Sequence, residues 1–100
     1  MIKSLIKRYH WYAVYKDGPA RVKAARWFLK KMQQGTTYEE VSFYWGTGSD
    51  LIYYLSKNVK DGESKAALNS IAVEMVAKCN SVGMYPGSDI PFDLDQGDNS

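Results

Sequence analysis

Residues 36–55 read TTYEEVSFYWGTGSDLIYYL and contain two signals for the start of a helix, separated by a glycine. Thr36 and Thr37 are each followed three residues later by a glutamate, which is the spacing of the capping box that begins a helix. Gly46 can adopt positive values of the backbone angle φ and therefore suits a tight turn. Ser49 can cap a second helix. The stretch therefore predicts two short helices joined at Gly46.

The spacings in this stretch resemble those of the helix-turn-helix module of small bacterial and phage transcription regulators. That module has a small residue where its helices approach and a glycine four residues later, and Ser42 and Gly46 match this pattern. Ile52 and Leu55 follow the glycine by six and nine residues, where the module has apolar side chains. Thr47 departs from the pattern, because the module usually has an aliphatic residue there. The resemblance covers about a fifth of the chain.

In such a module the second helix enters the major groove of DNA, with its N-terminal residues toward the base edges. The resemblance therefore implies a non-catalytic regulator that binds double-stranded DNA, as a homodimer if its site is palindromic. The expected DNA-binding residues lie on the second hairpin helix and on the basic helix before the module: Ser49, Asp50, Tyr53, Tyr54, Lys57, Arg26, Lys30 and Lys31.

Apolar residues recur at three- and four-residue intervals on both sides of the module, which predicts further helices. Before it, helices are expected over 2–15 and 19–34, separated by Gly18-Pro19. After it, a helix is expected over 64–82. The expected inner faces are, for the first helix, Ile2, Leu5, Ile6, Tyr9 and Ala13; for the second, Val22, Ala25, Phe28, Leu29 and Met32; and for the last, Ala67, Leu68, Ile71, Ala72, Met75, Val76 and Cys79.

The predicted architecture is an all-α, compact bundle of about five helices with a central helix-turn-helix at about 37–59. Gly35 is expected to end the second helix in the left-handed conformation, and Gly83 is expected to close the last helix. Residues 1–83 form one helical domain in this interpretation. Residues 84–100 form an irregular acidic tail that is partly docked or mobile.

Charge is distributed unevenly along the chain, although the formal net charge is only +2. Residues 1–35 contain nine lysines or arginines and one acid, which gives +8, whereas residues 36–100 contain four bases and ten acids, which gives −6. A basic segment of this kind suggests an anionic partner. The basic residues of the second helix either contact DNA phosphates or only keep its outer face solvated, and they are Arg21, Lys23, Arg26, Lys30 and Lys31.

A function from another class stays open: a small interaction or inhibitor protein, of a kind that phages encode, which binds a protein target through the helix-turn-helix-like scaffold. Four of the seven residues 9–15 are aromatic, so they cannot all face one core. Beside Lys7, Arg8 and Lys16 they can stack on nucleic-acid bases or form a surface for a protein. Asp50 and the acidic tail favour the protein target.

Neither catalysis nor metal binding has a matching set of residues. Cys79 is the only cysteine, which excludes an internal disulfide and a cysteine-based zinc site, and we expect it to be buried. His10 is the only histidine and has no metal-ligand partner at a suitable spacing. We therefore expect no enzyme activity, no metal and no cofactor. The chain contains no long apolar run and no signal-like segment, so we expect a cytoplasmic location without a membrane partner.

Overall fold

The computed structural model describes residues 2–57 and 59–86. These residues form four α-helices and contain no strand, and the helices are α1 (Ile2–Trp11), α2 (Gly18–Gln34), α3 (Tyr38–Lys57) and α4 (Gly62–Ser81). A 3-10 helix, Tyr12–Tyr15, follows α1 directly. The predicted all-α class is confirmed, with four α-helices rather than about five. Most of the predicted acidic tail, residues 87–100, lies outside the described residues.

Helix α3 is continuous from Tyr38 to Lys57, so the predicted turn at Gly46 and the predicted helix start at Ser49 are wrong. The reason is the phase of the buried side of the helix. Its buried positions include Val41, Trp45, Gly48, Ile52 and Leu55, which recur at intervals of four, three, four and three residues. This register belongs to one face of one helix. Residues 37–59 therefore do not form two short helices.

Gly48 is the position where α2 and α3 come closest. A Cβ atom added to Gly48 would lie 2.6 Å from Cδ1 and 2.8 Å from Cγ of Phe28, well inside van der Waals contact. The adjacent Thr47 is buried, and its hydroxyl donates to the carbonyl oxygen of Phe43 at 2.7 Å. Gly48 therefore serves close helix packing, and the Thr47 hydroxyl is satisfied within the helix.

Capping side chains fix where three of the helices begin. The Asp17 carboxylate accepts from the backbone N–H of Ala20 at 3.2 Å and caps α2. The predicted capping box of Thr37 and Glu40 is confirmed, since each side chain accepts from the other residue's backbone N–H at 3.2 Å. The carboxylate of Asp61 caps α4. These caps satisfy N–H groups that have no partner within the helices.

The two glycines predicted to end helices behave differently. Gly83 has a φ of 84°, which is the left-handed conformation, and α4 ends just before it, as predicted. Gly35, after α2, has φ −75° and ψ 142°, so the left-handed cap predicted there is wrong. Its N–H still donates to the carbonyl oxygen of Met32 at 3.1 Å. The extended conformation of Gly35 leads directly into the three-residue connection to α3.

The core lies between α2, α3 and α4, which pack against one another pairwise. The predicted inner face of α2 is confirmed, since only Val22 of that set is half-buried and the others are buried. On α4 the predicted inner residues are buried, except that Ala67 and Val76 are half-buried. Burying these apolar side chains supplies the main driving force for folding.

Helix α1 packs mainly on α3, through a different face from the one that the sequence predicts. Ile6 and Ala13 of the predicted face pack against the core, whereas Ile2, Leu5 and Tyr9 are exposed. His10 is buried in their place, with its ring 4.4 Å from that of Trp27 and 4.9 Å from that of Phe28. Within the described part of the chain, no helix is both long enough and apolar enough to span a membrane.

Candidate binding surface

The predicted DNA-reading residues of α3 lie in the middle of that helix, and α1 covers part of them. Nζ of Lys7 lies 2.5 Å from Oδ2 of Asp50. The ring of Trp11 packs on that of Tyr54, with 5.1 Å between the centroids. Ser49 is half-buried. These residues are therefore not at a free helix N-terminus, as major-groove reading by a helix-turn-helix requires.

The remaining pair predicted on α3 is Tyr53 and Lys57, near the end of the helix. Nζ of Lys57 lies 5.4 Å from the centroid of the Tyr53 ring, within the range of a cation–π contact. The Tyr53 ring also meets that of Tyr54 edge to face, at 5.2 Å. These side chains form a local cluster at the carboxyl end of α3.

The predicted residues of α2 form a second, separate group. At about 100° per residue, Arg26 and Lys30 lie roughly 160° and 200° round the helix from Phe28, which contacts α3. Both side chains are exposed. Lys31 is half-buried, and its Nζ lies 5.6 Å from the centroid of the Trp27 ring. Arg26 and Lys30 therefore lie on the side of α2 away from α3 and do not form one surface with the predicted residues of α3, whereas Lys31 lies on the flank toward the start of α3.

Two basic side chains of the amino-terminal half are used inside the fold. Lys7 is neutralised by Asp50. The guanidinium of Arg21 donates to the carbonyl oxygens of three residues, at 2.6 Å to Val14, 3.0 Å to Leu55 and 3.0 Å to Lys16. The predicted phosphate contact by Arg21 therefore does not fit the structure, because this side chain holds the 3-10 helix and the end of α3 against α2.

The cations at the two flanks of α2 have acidic neighbours. Arg26 borders a depression that also contains Asp61 and Glu63, between α2 and α4. Lys31 borders another that contains Glu39 and Glu40, at the start of α3. An anionic ligand at either depression would meet these carboxylates, so the flanks are the weaker places for one.

Among the described residues, a groove of about 540 Å³ between α2 and the segment formed by α1 and the 3-10 helix has no acidic lining residue. We call it the α1–α2 groove, and its lining residues are Tyr9, His10, Tyr12, Ala13, Lys16, Ala20, Lys23, Ala24 and Trp27. Helices α1 and α2 contain no acidic residue, and the Asp17 carboxylate between them caps α2. In the part of the chain that the structure describes, the groove therefore combines aromatic and cationic side chains without an acidic one.

His10 joins the two aromatic sides of this groove. Its ring contacts that of Tyr9 edge to face at 5.0 Å and that of Trp27 at 4.4 Å. Nδ1 of His10 lies 2.8 Å from the carbonyl oxygen of Ile6, and this contact fixes the imidazole against α1. The buried histidine thus holds these aromatic residues in place.

The described residues contain no group of three or more histidine, cysteine or acidic side chains placed to share a metal ion. Cys79 is fully buried, as predicted. Burial raises the pKa of its thiol to about 11, so the thiolate that would act as a nucleophile is disfavoured. Its apolar surroundings make it part of the core.

The sequence alone places Lys16 beside the aromatic residues 9–15, but it does not bring Lys23 and Trp27 to the same site. Their charges and aromatic rings were visible, but nothing in the spacing places residues 9–16 beside residues 23–27. The signal that was available is the turn at Gly18-Pro19, which folds the first helical segment back along the second. No family model, curated protein or solved structure matches this chain.

Proposed function

We propose that this protein is a non-catalytic nucleic-acid-binding protein that uses the side of the molecule formed by α1 and α2. The observation that carries the proposal is the α1–α2 groove, where Lys16 and Lys23 lie among aromatic residues and no carboxylate of residues 2–57 or 59–86 is part of the lining. Phosphate contacts from lysine and arginine supply most sequence-independent affinity for nucleic acids.

The cationic surface extends beyond the groove along both elements. Arg8 is exposed on α1, and Lys30 is exposed on α2 two turns after Lys23. Two turns of helix span about 10 Å, so these lysines can meet different phosphates of one strand. The proposal keeps the nucleic-acid partner expected from the sequence and replaces the recognition helix within residues 37–59 by the α1–α2 side.

Fluorescence anisotropy across a range of salt concentrations tests this function. We expect a labelled random duplex of about 20 base pairs and its separated strand to bind the protein at low salt, with affinity that falls steeply as salt rises. Replacing Lys23 and Lys30 together by glutamine should lower the slope of log affinity against log salt by about 1 to 2, since each lost phosphate contact releases fewer counterions.

A matched control removes two exposed lysines from another part of the surface. Lys60→Gln with Lys65→Gln makes the same change in net charge, at and just before the start of α4. We expect this variant to keep most of the wild-type salt slope. Absence of binding to either nucleic acid at low salt would overturn the proposed function.

An exposed apolar stripe along α1 and the first residue of the 3-10 helix favours a second candidate, a protein partner. Ile2, Leu5, Tyr9 and Tyr12 recur at intervals of three, four and three residues, and all four side chains are exposed. Large apolar side chains in a row at a protein surface are typical of interaction sites. This candidate retains the interaction or inhibitor function that the sequence leaves open, with α1 as the contact element.

The two candidates respond to different substitutions. A protein partner held by the stripe should be lost from the Leu5→Glu variant and retained by the variant with Lys23 and Lys30 replaced. Sedimentation of the wild-type protein shows whether that partner is a second copy of the chain. Unchanged capture by Leu5→Glu would remove α1 as the contact element.

A further inference from the structure

We infer that the α1–α2 groove holds unpaired bases of a single-stranded nucleic acid, an inference that rests on the proposed nucleic-acid-binding function. In this arrangement bases stack on Tyr9 and Tyr12, Trp27 forms the opposite wall, and Lys16 and Lys23 contact the phosphates. The protein would then prefer a single strand to a duplex of the same length.

The preference follows from which surfaces a nucleic acid leaves free. In a duplex, each base is covered on both faces by its neighbours in the stack, so an aromatic side chain has no face to contact. In a single strand the bases can separate and expose their faces, and aromatic side chains bind them with little dependence on sequence. Cations alone, without aromatic residues, would favour the higher charge density of the duplex.

The exposure of the tyrosines fits this role. The side chains of Tyr9 and Tyr12 are 75% and 68% exposed although both border the groove, so their rings are accessible to a ligand. The edge-to-face contact of Tyr9 with the buried His10 holds one ring in place while leaving most of its surface free.

Trp27 supplies a fixed wall rather than a free face. Its ring packs against His10 at 4.4 Å, Phe28 at 5.1 Å and Tyr44 at 5.9 Å. Nζ of Lys31 lies 5.6 Å from the ring centroid and helps to hold the ring, although Lys31 itself borders the depression at the start of α3 and not the groove. A base between the tyrosines and Trp27 would therefore contact a rigid wall at Trp27 and exposed rings at Tyr9 and Tyr12.

The lining between these walls is made of small residues. Ala13, Ala20 and Ala24 contribute only methyl groups, so a flat ring can approach the backbone of both segments. The groove volume of about 540 Å³ lies within the range of about 300–1,000 Å³ that is usual for small-molecule sites. One or two nucleotides are therefore the ligand size that the groove can accommodate.

Charge complementarity selects a nucleic acid over a neutral ligand. Lys16 and Lys23 line the groove, and none of the lining residues is acidic. A strand leaving the groove along α2 would next pass Lys30, which is exposed. The chemistry therefore fits a chain of phosphates with unstacked bases.

Competition between two defined probes tests the inference with the full chain. The first probe is a labelled oligothymidylate of about 12 nucleotides, which does not pair with itself, and the second is a random duplex of about 12 base pairs. Anisotropy titrations at one salt concentration should show tighter binding of oligothymidylate than of the duplex by about tenfold or more, as expected when at least one base stacks.

One double variant and its matched control test the stacking. Replacing Tyr9 and Tyr12 together by leucine keeps apolar volume but removes the ring faces, and it should weaken oligothymidylate binding by about tenfold or more while changing duplex binding by less than about twofold. Tyr15→Leu is the matched control, because Tyr15 is 84% exposed and does not line the groove. It should leave both affinities unchanged, and circular dichroism should show the same helix content in every variant.

The possible outcomes distinguish the inference from the function on which it rests. Equal binding of the two probes, with no effect of the tyrosine substitutions, would overturn the stacking site and leave nucleic-acid binding in place. No binding of either probe would overturn both. A third outcome is that the protein binds no nucleic acid and that replacing Tyr9 and Tyr12 abolishes capture of a protein partner. This result would assign the groove to a protein and would also overturn the inference.

Discussion

Nζ of Lys7 lies 2.5 Å from Oδ2 of Asp50, and this ion pair joins α1 to the middle of α3. The other carboxylate oxygen, Oδ1, is buried and has no hydrogen-bond partner among the described residues. The sequence predicts that Asp50 contacts DNA. In the structure its carboxylate instead holds α1 through Lys7. It also removes Lys7 from the cations that are free to meet an anionic ligand.

The ion pair should make a small contribution to stability. The two side chains are 33% and 44% exposed, so solvent screens their attraction and the coupling should be about 0.5–1 kcal/mol. A double-mutant cycle with Lys7→Met and Asp50→Asn, followed by urea unfolding, measures it. We expect the coupling to shrink as salt is added. A coupling of zero at low salt would show that the pair does not link α1 to α3 in solution.

Two nearby glycines of α3 should respond to alanine in opposite directions. Gly48→Ala places a Cβ 2.6 Å from the Phe28 ring and should lower the free energy of unfolding by about 1–3 kcal/mol, because the packed helices must separate. Gly46 is an exposed residue inside the helix. Gly46→Ala should raise the free energy of unfolding by about 1 kcal/mol, because alanine favours the helical backbone. Chemical denaturation of both variants checks the two signs.

These variants also test whether α3 is continuous. If Gly46 occupied a turn with positive φ, alanine there would strain the backbone and lower stability. Destabilisation by Gly46→Ala would therefore argue for the two-helix arrangement that the sequence predicts. Stabilisation by Gly46→Ala together with destabilisation by Gly48→Ala supports one helix packed closely on α2.

The sequence pattern predicts most of the core correctly, but the turn that it predicts at the centre of α3 is wrong. The inner face of α2 follows from the helical period and is confirmed, because burial of one face imposes that period. Around Gly46 the local signals favour a turn, because the sequence alone does not distinguish a glycine inside a helix from a glycine with positive φ. The helical period continues without a break through Val41, Trp45, Gly48 and Ile52. Burial of this one face therefore outweighs the local turn signals.

The candidate site could be predicted from the sequence less well than the fold. The change from α1 to a 3-10 helix at Tyr12 alters the number of residues per turn, so the facing of residues 12–15 cannot be extrapolated from residues 2–11. His10, a polar residue, takes a buried position that the sequence assigned to apolar side chains. The 3-10 helix and the burial of His10 together determine which aromatic residues stay exposed. They therefore also determine which aromatic residues can bind a partner.

Arg21 should be the basic residue whose loss most affects stability. Its guanidinium is the donor to carbonyl oxygens on three segments, and removing it leaves partly buried acceptors without that partner. Arg21→Met should lower the free energy of unfolding by about 2–3 kcal/mol in urea. Arg21→Lys should restore little of this loss, because a lysine cannot reproduce the planar fork of donors.

Arg26→Met is the matched control for this prediction. Arg26 lies on the same helix, is exposed and bears the same charge. We expect the control to change stability by less than about 0.5 kcal/mol, as is usual for surface substitutions. Equal effects at the two positions would indicate that the Arg21 hydrogen bonds are not formed in solution.

The capping carboxylate of Glu40 should make the stability of the start of α3 depend on pH. The backbone N–H groups of Thr36 and Thr37 donate to its carboxylate at 2.7 and 3.2 Å, and these hydrogen bonds hold its pKa below the ordinary value of 4.5. A carboxyl whose pKa is lower in the folded state contributes stability above its unfolded-state pKa. That contribution is lost as the pH falls through the folded-state pKa.

Glu40→Gln should therefore reduce the dependence of stability on pH below about 4.5, because glutamine accepts the same hydrogen bonds without titrating. Near neutral pH the variant should be less stable than the wild type, and at the acid end the two unfolding curves should converge. Glu39→Gln, which removes a neighbouring exposed charge from the same turn, should run parallel to the wild type. Urea unfolding at a series of pH values measures all three proteins. A constant gap between wild type and Glu40→Gln across the acid range would show that the charge of Glu40 does not contribute to the cap.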